Sequence, residues 1–220
     1  MPVSSSDALA ARWIALGSAA GWVGSTTTMA ELPDGRLVVG GIGLTKAAGK
    51  TVAGLAVRDP RTGAWQALAT LKTSTGRVAS VYALAVDASR NLLYVAGNFS
   101  SVTRGNRRVA AVGIAQLNLK TGLWSKVGTG LSGKGISVRT LSLDAVSGNL
   151  LIGGRFTRAG GVVSGNIATW SPARKRWLAL GTGLKSDVVT AALAGDGTVY
   201  AAGRFVDGLV STWNPTTKVW

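Results

Sequence analysis

Apolar residues along this chain come in short runs that alternate with polar ones and are broken by Gly, Pro, Asn and Asp. Period-two alternation between turn residues predicts strands. Nowhere is there the sustained 3.6-residue spacing of an amphipathic helix. The runs also repeat. Leu55–Trp65 (LAVRDPRTGAW), Ile114–Trp124 (IAQLNLKTGLW), Ile167–Trp177 (IATWSPARKRW) and Val210–Trp220 (VSTWNPTTKVW) align without a gap. Each opens on an aliphatic residue, passes through a turn at Asp59-Pro60, Asn118-Leu119, Ser171-Pro172 or Asn214-Pro215, and ends in Trp. Asp, Asn and Ser start such turns by side-chain capping, and Pro presets φ.

The segments around these blocks repeat as well. The Trp residues open a strand d, in the phrases WQALA, WSKVG and WLALG, and Trp13–Gly17 carries the same phrase as WIALG. Upstream of each block lies a strand b that ends in a small-Gly doublet at Gly41, Gly97, Gly154 or Gly203. Before it comes an alternating strand a: 26–32, 81–86, 138–143 and 188–193. The a-to-b turns carry Pro33-Asp34-Gly35, Asp87 to Arg90, Ser147-Gly148 and Gly195-Asp196-Gly197, which is hairpin chemistry. A four-strand unit therefore recurs between Trp65, Trp124, Trp177 and Trp220, at a period expected of propeller blades. The expected fold is all-β: a β-propeller of about four four-stranded blades, with residues 1–12 as a lead-in and 13–220 as one domain.

The Gly doublet, the Asp59-Pro60-Arg61-Thr62-Gly63 turn and the Trp together resemble the kelch repeat and related galactose oxidase-like propellers. Phe156–Gly161 (FTRAGG) with Ile167–Leu184 is similar to repeat propellers of secreted bacterial proteins and fungal cortical polarity markers. In such families an N-terminal outer strand often completes the C-terminal blade. The resemblance thus implies that Trp13–Gly17 lies beside the strand from Leu209 to Trp213, closing the ring and protecting its edges. An arc of a larger ring, or two chains forming one ring of eight, stays open. The resembling families are often extracellular.

Composition narrows the chemistry. The chain has no Cys and no His, which removes disulfides, thiolate metal sites, the commonest metal ligand and the commonest general base. A galactose oxidase-like copper site would need His ligands, so that activity does not carry over. The acids mostly mark turns and show no carboxylate pair for glycosidase chemistry. The expectation is a protein that is not an enzyme and needs no cofactor. No apolar run approaches the ~20 residues of a membrane span. The nearest thing to a signal-peptide core, 8–24, follows Asp7, is interrupted by Arg12 and has no basic lead-in.

The charge is the remaining signal: +15, with no long basic run. In an up-and-down blade the b-to-c and d-to-a connections share one end. This places Lys46, Lys50, Arg104, Arg107, Arg108 and Arg158 there, with Arg155 and Arg204 at the ends of strand b, opposed by Asp187 and Asp207. Such a face would steer polyanions in a salt-dependent manner. Thr103–Arg108 (TRGNRR) is the sharpest cluster. Among the 8 Trp, only Trp22 falls outside the repeat columns, which makes it the one candidate for a ligand role. Two functional readings follow. One is an interaction or assembly module that binds a macromolecular partner through its loop faces. The other is a polyanion binder, for nucleic acid or anionic glycan, through these eight cations.

Overall fold

The computed structural model describes residues 20–205 and 208–220. All of its regular structure is β. The first sheet contains β1 (Val23–Glu31), β2 (Leu37–Ala47), β3 (Lys50–Thr51), β4 (Gly54–Arg58) and β5 (Trp65–Lys72). The second contains β6 (Val81–Asp87) and β7 (Leu92–Gly97). A hairpin of β8 (Ser101–Arg104) and β9 (Arg107–Ala110) follows, then β10 (Ile114–Asn118) and β11 (Trp124–Lys126). The third contains β13 (Ser137–Leu143), β14 (Leu150–Arg155), β17 (Ile167–Ser171) and β18 (Arg176–Ala179), while the hairpin β15 (Arg158–Ala159) and β16 (Val162–Val163) between β14 and β17 forms a small sheet of its own with β12 (Leu131–Ser132). The fourth has three strands among the described residues: β19 (Val188–Leu193), β20 (Val199–Phe205) and β21 (Gly208–Trp213). The first three run as antiparallel meanders in the order a, b, c, d that the repeat predicts, and the fourth shows a, b and c among the described residues.

Strands a form the inner row. β1 packs on β6, β6 on β13 and β13 on β19, whereas β19 and β1 are not packed on one another in this way. Side chains stitch the row together. The Thr27 hydroxyl donates to the Val81 carbonyl, the Thr140 hydroxyl bonds both backbone groups of Ala191, and Ser142 Oγ accepts from the Leu193 amide. Ring closure by residues 13–17, expected from the resemblance, lies outside the described residues.

The hydrophobic core is a series of layers between sheets. Strand alternation sends Val38, Leu55 and Val57 forward to meet Leu93, Val95, Ala115 and Leu117 of the second sheet. Tyr94, Ala96 and Ile114 then meet Leu150, Ile152, Ala168 and Trp170 of the third. Leu151 and Ile167 meet Val199, Ala201 and Trp213 of the fourth. Each sheet is buried on both faces where it has neighbours on both sides, which is why strands b and c read as nearly continuous apolar runs.

The Gly that closes each strand b has a repeated steric cause. A Cβ at Gly41, Gly97, Gly154 or Gly203 would sit on the backbone carbonyl oxygen of Ser25, Ser80, Ser137 or Asp187, just ahead of or at the start of strand a. In every sheet the a–b ladder slips register beside this point, at Thr26/Thr28, Val81/Ala83, Val138/Thr140 and Val188/Thr190. The column is a β-bulge with close backbone approach.

Candidate functional site

The second and third b-to-c connections, expected to be loops at one end, are hairpins that fold back along the outer wall. β8 pairs with β5 of the preceding sheet, at Thr103↔Thr70, Val102↔Leu71 and Ser101↔Lys72. β15 pairs with β12, and β9 and β16 lie beside the outer strands β11 and β18 of their own sheets. Each hairpin thus fills the seam between successive outer strands. This turn was legible: Gly105-Asn106 between alternating runs is a two-residue hairpin signal, and Gly105 has the positive φ, 56°, that such a turn needs.

This folding redistributes the eight candidate cations. Lys46 and Lys50 sit on the exposed β2–β3 hairpin, where Lys50 lines a groove with Asp59, Thr62 and Trp65. Arg104, Arg107 and Arg108 cluster on the second hairpin, and all three are exposed. Rather than staying at the b-to-c end, Arg104 extends to the c-to-d turn and donates from Nη1 to the Gly122 carbonyl at 3.1 Å. The antiparallel run of β8 down β5 carries it there. Arg158 is turned into its own hairpin, donating to the Gly161 carbonyl at 2.9 Å. Arg155 is clamped by Asp187, with Nε to Oδ2 at 2.9 Å and Nη2 to Oδ2 at 2.6 Å, and this pairing raises the Arg155 pKa further. It joins the third and fourth sheets. Arg204 is exposed, and Asp207 lies outside the described residues. The eight are thus spread over several elements: Lys46 and Lys50 share the first hairpin, and Arg104, Arg107 and Arg108 share the second.

Two further cations join that group: Arg36 from an a-to-b turn and Lys120 from a c-to-d turn, which strand alternation puts at the end opposite the b-to-c connections. A groove of about 420 Å³ is lined by Arg104, Arg107, Arg108, Leu123 and Trp124. A second, of about 620 Å³, is lined by Arg36, Leu68, Arg104 and Lys120 among others. Arg104 and Gly122 lie between the two. Arg36 is held by Asp34 through Nη2 to Oδ2 at 2.8 Å.

The carboxylates are occupied by their turns. Asp59 accepts from the Arg61 and Thr62 amides, and the bonds to Thr62 and then Arg61 lower its pKa. Asp144 accepts from the Ser147 hydroxyl and the Val146 amide, with the same effect. Asp196 is lowered by its bond from the Thr198 amide. Asp87 is 3% exposed, and burial alone would raise its pKa. The Ser89 hydroxyl and the Arg90 amide and guanidinium overcome this and leave the pKa lowered. Arg90 then reaches the Ser147 carbonyl at 3.0 Å and ties the second sheet to the third. Among the described residues no cluster of three or more acids gathers where a metal ion could be held.

The Trp columns are packing. Trp65, Trp124 and Trp177 are buried under the outer strands, and Trp170 and Trp213 tilt against Trp177 and Trp220 at 5.4 and 5.6 Å between ring centroids. Trp22 meets Trp65 edge-on at 5.0 Å and covers the back of the first sheet, so it is engaged in packing as well.

No family model and no curated protein matches this sequence. Solved structures do resemble the fold. The extracellular domain of the one-component system BT4673 from B. thetaiotaomicron aligns over 86% of this chain and 21% of its own, with TM-score 0.54 and 14% identity. A second structure of that domain, named there as part of a hybrid two-component system, aligns with TM-score 0.55, 14% identity and the same coverage. U3-55K aligns over 91% of this chain and 54% of its own, with TM-score 0.54 and 13% identity. This chain spans about a fifth of the first two and about half of the third. At such identities the likeness concerns fold alone: successive antiparallel sheets in a propeller-like all-β arrangement.

Proposed function

We infer that this chain is a non-catalytic interaction module, a kelch-like propeller of four blade units that binds a macromolecular partner through its outer hairpins. The observation that carries the reading is the division of labour within the repeat. Strands a to d keep the same residue types in the same columns and use them for packing. The b-to-c hairpins differ in length and chemistry from sheet to sheet and stand on the outer wall. One carries Arg104, Arg107 and Arg108, whereas the next exposes the apolar pair Val162 and Val163 at 45% and 50%. Variable elements on a rigid frame are where recognition is ordinarily built. One neighbour of similar fold, the extracellular domain of a one-component system, is compatible with this reading.

The experiment is capture of a partner from the native source on the immobilised chain, repeated with two hairpin variants and one inner-strand variant. Arg107→Ser/Arg108→Ser or Val162→Ser/Val163→Ser should release the partner while the unfolding midpoint is kept. Substitution of the inner-strand Arg139 should not. A partner held by both hairpin variants and lost with Arg139→Ser would overturn the assignment to the outer hairpins.

A further inference from the structure

The β8–β9 hairpin concentrates positive charge in a way the rest of the wall does not. Arg104 and Arg107 are directly opposed across the hairpin ladder, an arrangement of like charges that is locally destabilising. Arg108 follows on the same strand. Across the seam, Lys120 and Arg36 extend the positive lining past Arg104 into the second groove. No Asp or Glu lines either groove, and Asp34 is already engaged by Arg36. The equivalent slot between the third and fourth sheets, also about 620 Å³, is lined instead by Asp144, Asp196 and Lys218, and the groove at Lys50 contains Asp59. The basic lining is therefore local and is not a uniform consequence of a +15 chain.

We propose that this double groove binds a linear sulfated or carboxylated glycan, with Arg104 and Arg107, opposed across the hairpin, gripping one anionic group, Arg108 adding charge beside them, and Arg36 and Lys120 gripping a second. Planar guanidinium forks match oxyanions in a bidentate manner, and an anion between Arg104 and Arg107 relieves their repulsion. A single-stranded nucleic acid is the competing polyanion. Its binding sites pair basic residues with exposed aromatic platforms on which bases stack. The aromatic side chain in these grooves, Trp124, is 9% exposed, and the exposed apolar residue beside it is Leu123, which offers no π-face. The glycan assignment rests on the reading of the chain as an interaction module and names the chemistry of one of its hairpins.

The test is titration of the whole chain with a heparin-derived hexasaccharide at several salt concentrations, in parallel with an oligothymidylate of equal charge. Arg107→Gln/Arg108→Gln should weaken hexasaccharide binding by about tenfold or more and flatten the dependence of log affinity on log salt. This variant leaves the Arg104 bond to Gly122 in place, so folding is expected to be unaffected, and the unfolding midpoint checks it. Arg174→Gln/Lys175→Gln removes the same charge from an exposed turn of the third sheet and should change affinity less than about twofold. Equal losses in the two variants, no hexasaccharide binding at physiological salt, or equally tight oligothymidylate binding would each overturn the proposal. Failure here with partner capture intact removes the glycan alone. Failure of both removes the interaction module.

Discussion

Tyr94 and Tyr200 occupy the same repeat column, the second residue along strand b from its shared apolar start, yet Tyr94 is 0% exposed and Tyr200 50%. The third sheet lies on the first ring; among the described residues no sheet lies on the second. Tyr94→Ala should therefore cost about 3–5 kcal/mol, in the range of large-to-small core changes. Tyr200→Ala should stay within about 0.5 kcal/mol, as surface changes do. The Tyr94 hydroxyl is buried without a hydrogen-bond partner. Removing it by Tyr94→Phe should leave stability unchanged or raise it, since an unsatisfied buried polar group is unfavourable. Burial, with Asp87 nearby, pushes the Tyr94 pKa up to about 12, above the value of 10.0 in an exposed chain. The contribution to stability is full below pH 10 and is lost as pH rises toward 12, by about 3 kcal/mol at most. In Tyr94→Phe this alkaline loss should shrink. Chemical denaturation of the variants at pH 8 and pH 11 measures both effects.

At the scale of the element, the strand pattern was readable because each strand repeats its residue types column by column: the strands a expected at 81–86, 138–143 and 188–193 agree with β6, β13 and β19 to within one residue, whereas β1 begins three residues before the expected 26 and β2 runs past Gly41 to Ala47. The hairpins were not read as strands. Thr103–Arg108 was noticed for its charge, and the alternation of Val102 and Val109 around Gly105-Asn106 was the signal left unused. The consequence for the candidate site is specific. Assigning faces by strand alternation alone put Arg104 with Arg155 and Lys46 and separated it from Arg36 and Lys120. A hairpin that doubles back on a neighbouring sheet reverses both groupings, and no local pattern encodes which neighbour it will pair with. The Gly doublets were legible as a repeated column, and their cause became visible only with the carbonyl oxygen that occupies the space of the missing Cβ. Gly97→Ala should accordingly destabilise by several kcal/mol, about 3 or more, because backbone must shift. Gly105→Ala, with nothing near its Cβ, should lose only the ~1 kcal/mol of a positive-φ position. Thermal unfolding of the two variants side by side distinguishes steric from conformational need.

For the whole molecule, the layers between sheets are quasi-equivalent, as expected of a chain built from stacked units. Leu55, Ile114 and Ile167 are 0–1% exposed at one strand-c column, while their counterpart Val210 is 65% exposed on the fourth sheet. The repeat made the order of strands within a unit legible. How the row closes was not legible, because closure depends on which surfaces meet rather than on any residue pattern within a unit. The frame holds the outer hairpins in a fixed place, so binding at the proposed groove is expected to be local in structure. The measurement that tests this most directly is hydrogen exchange of the whole chain with and without a heparin-derived hexasaccharide. Slowed exchange confined to residues 101–110 and 118–124, with the inner strands β6 and β13 unchanged, is the predicted result. Protection spread evenly over the basic surface, or concentrated on the inner strands, would contradict it.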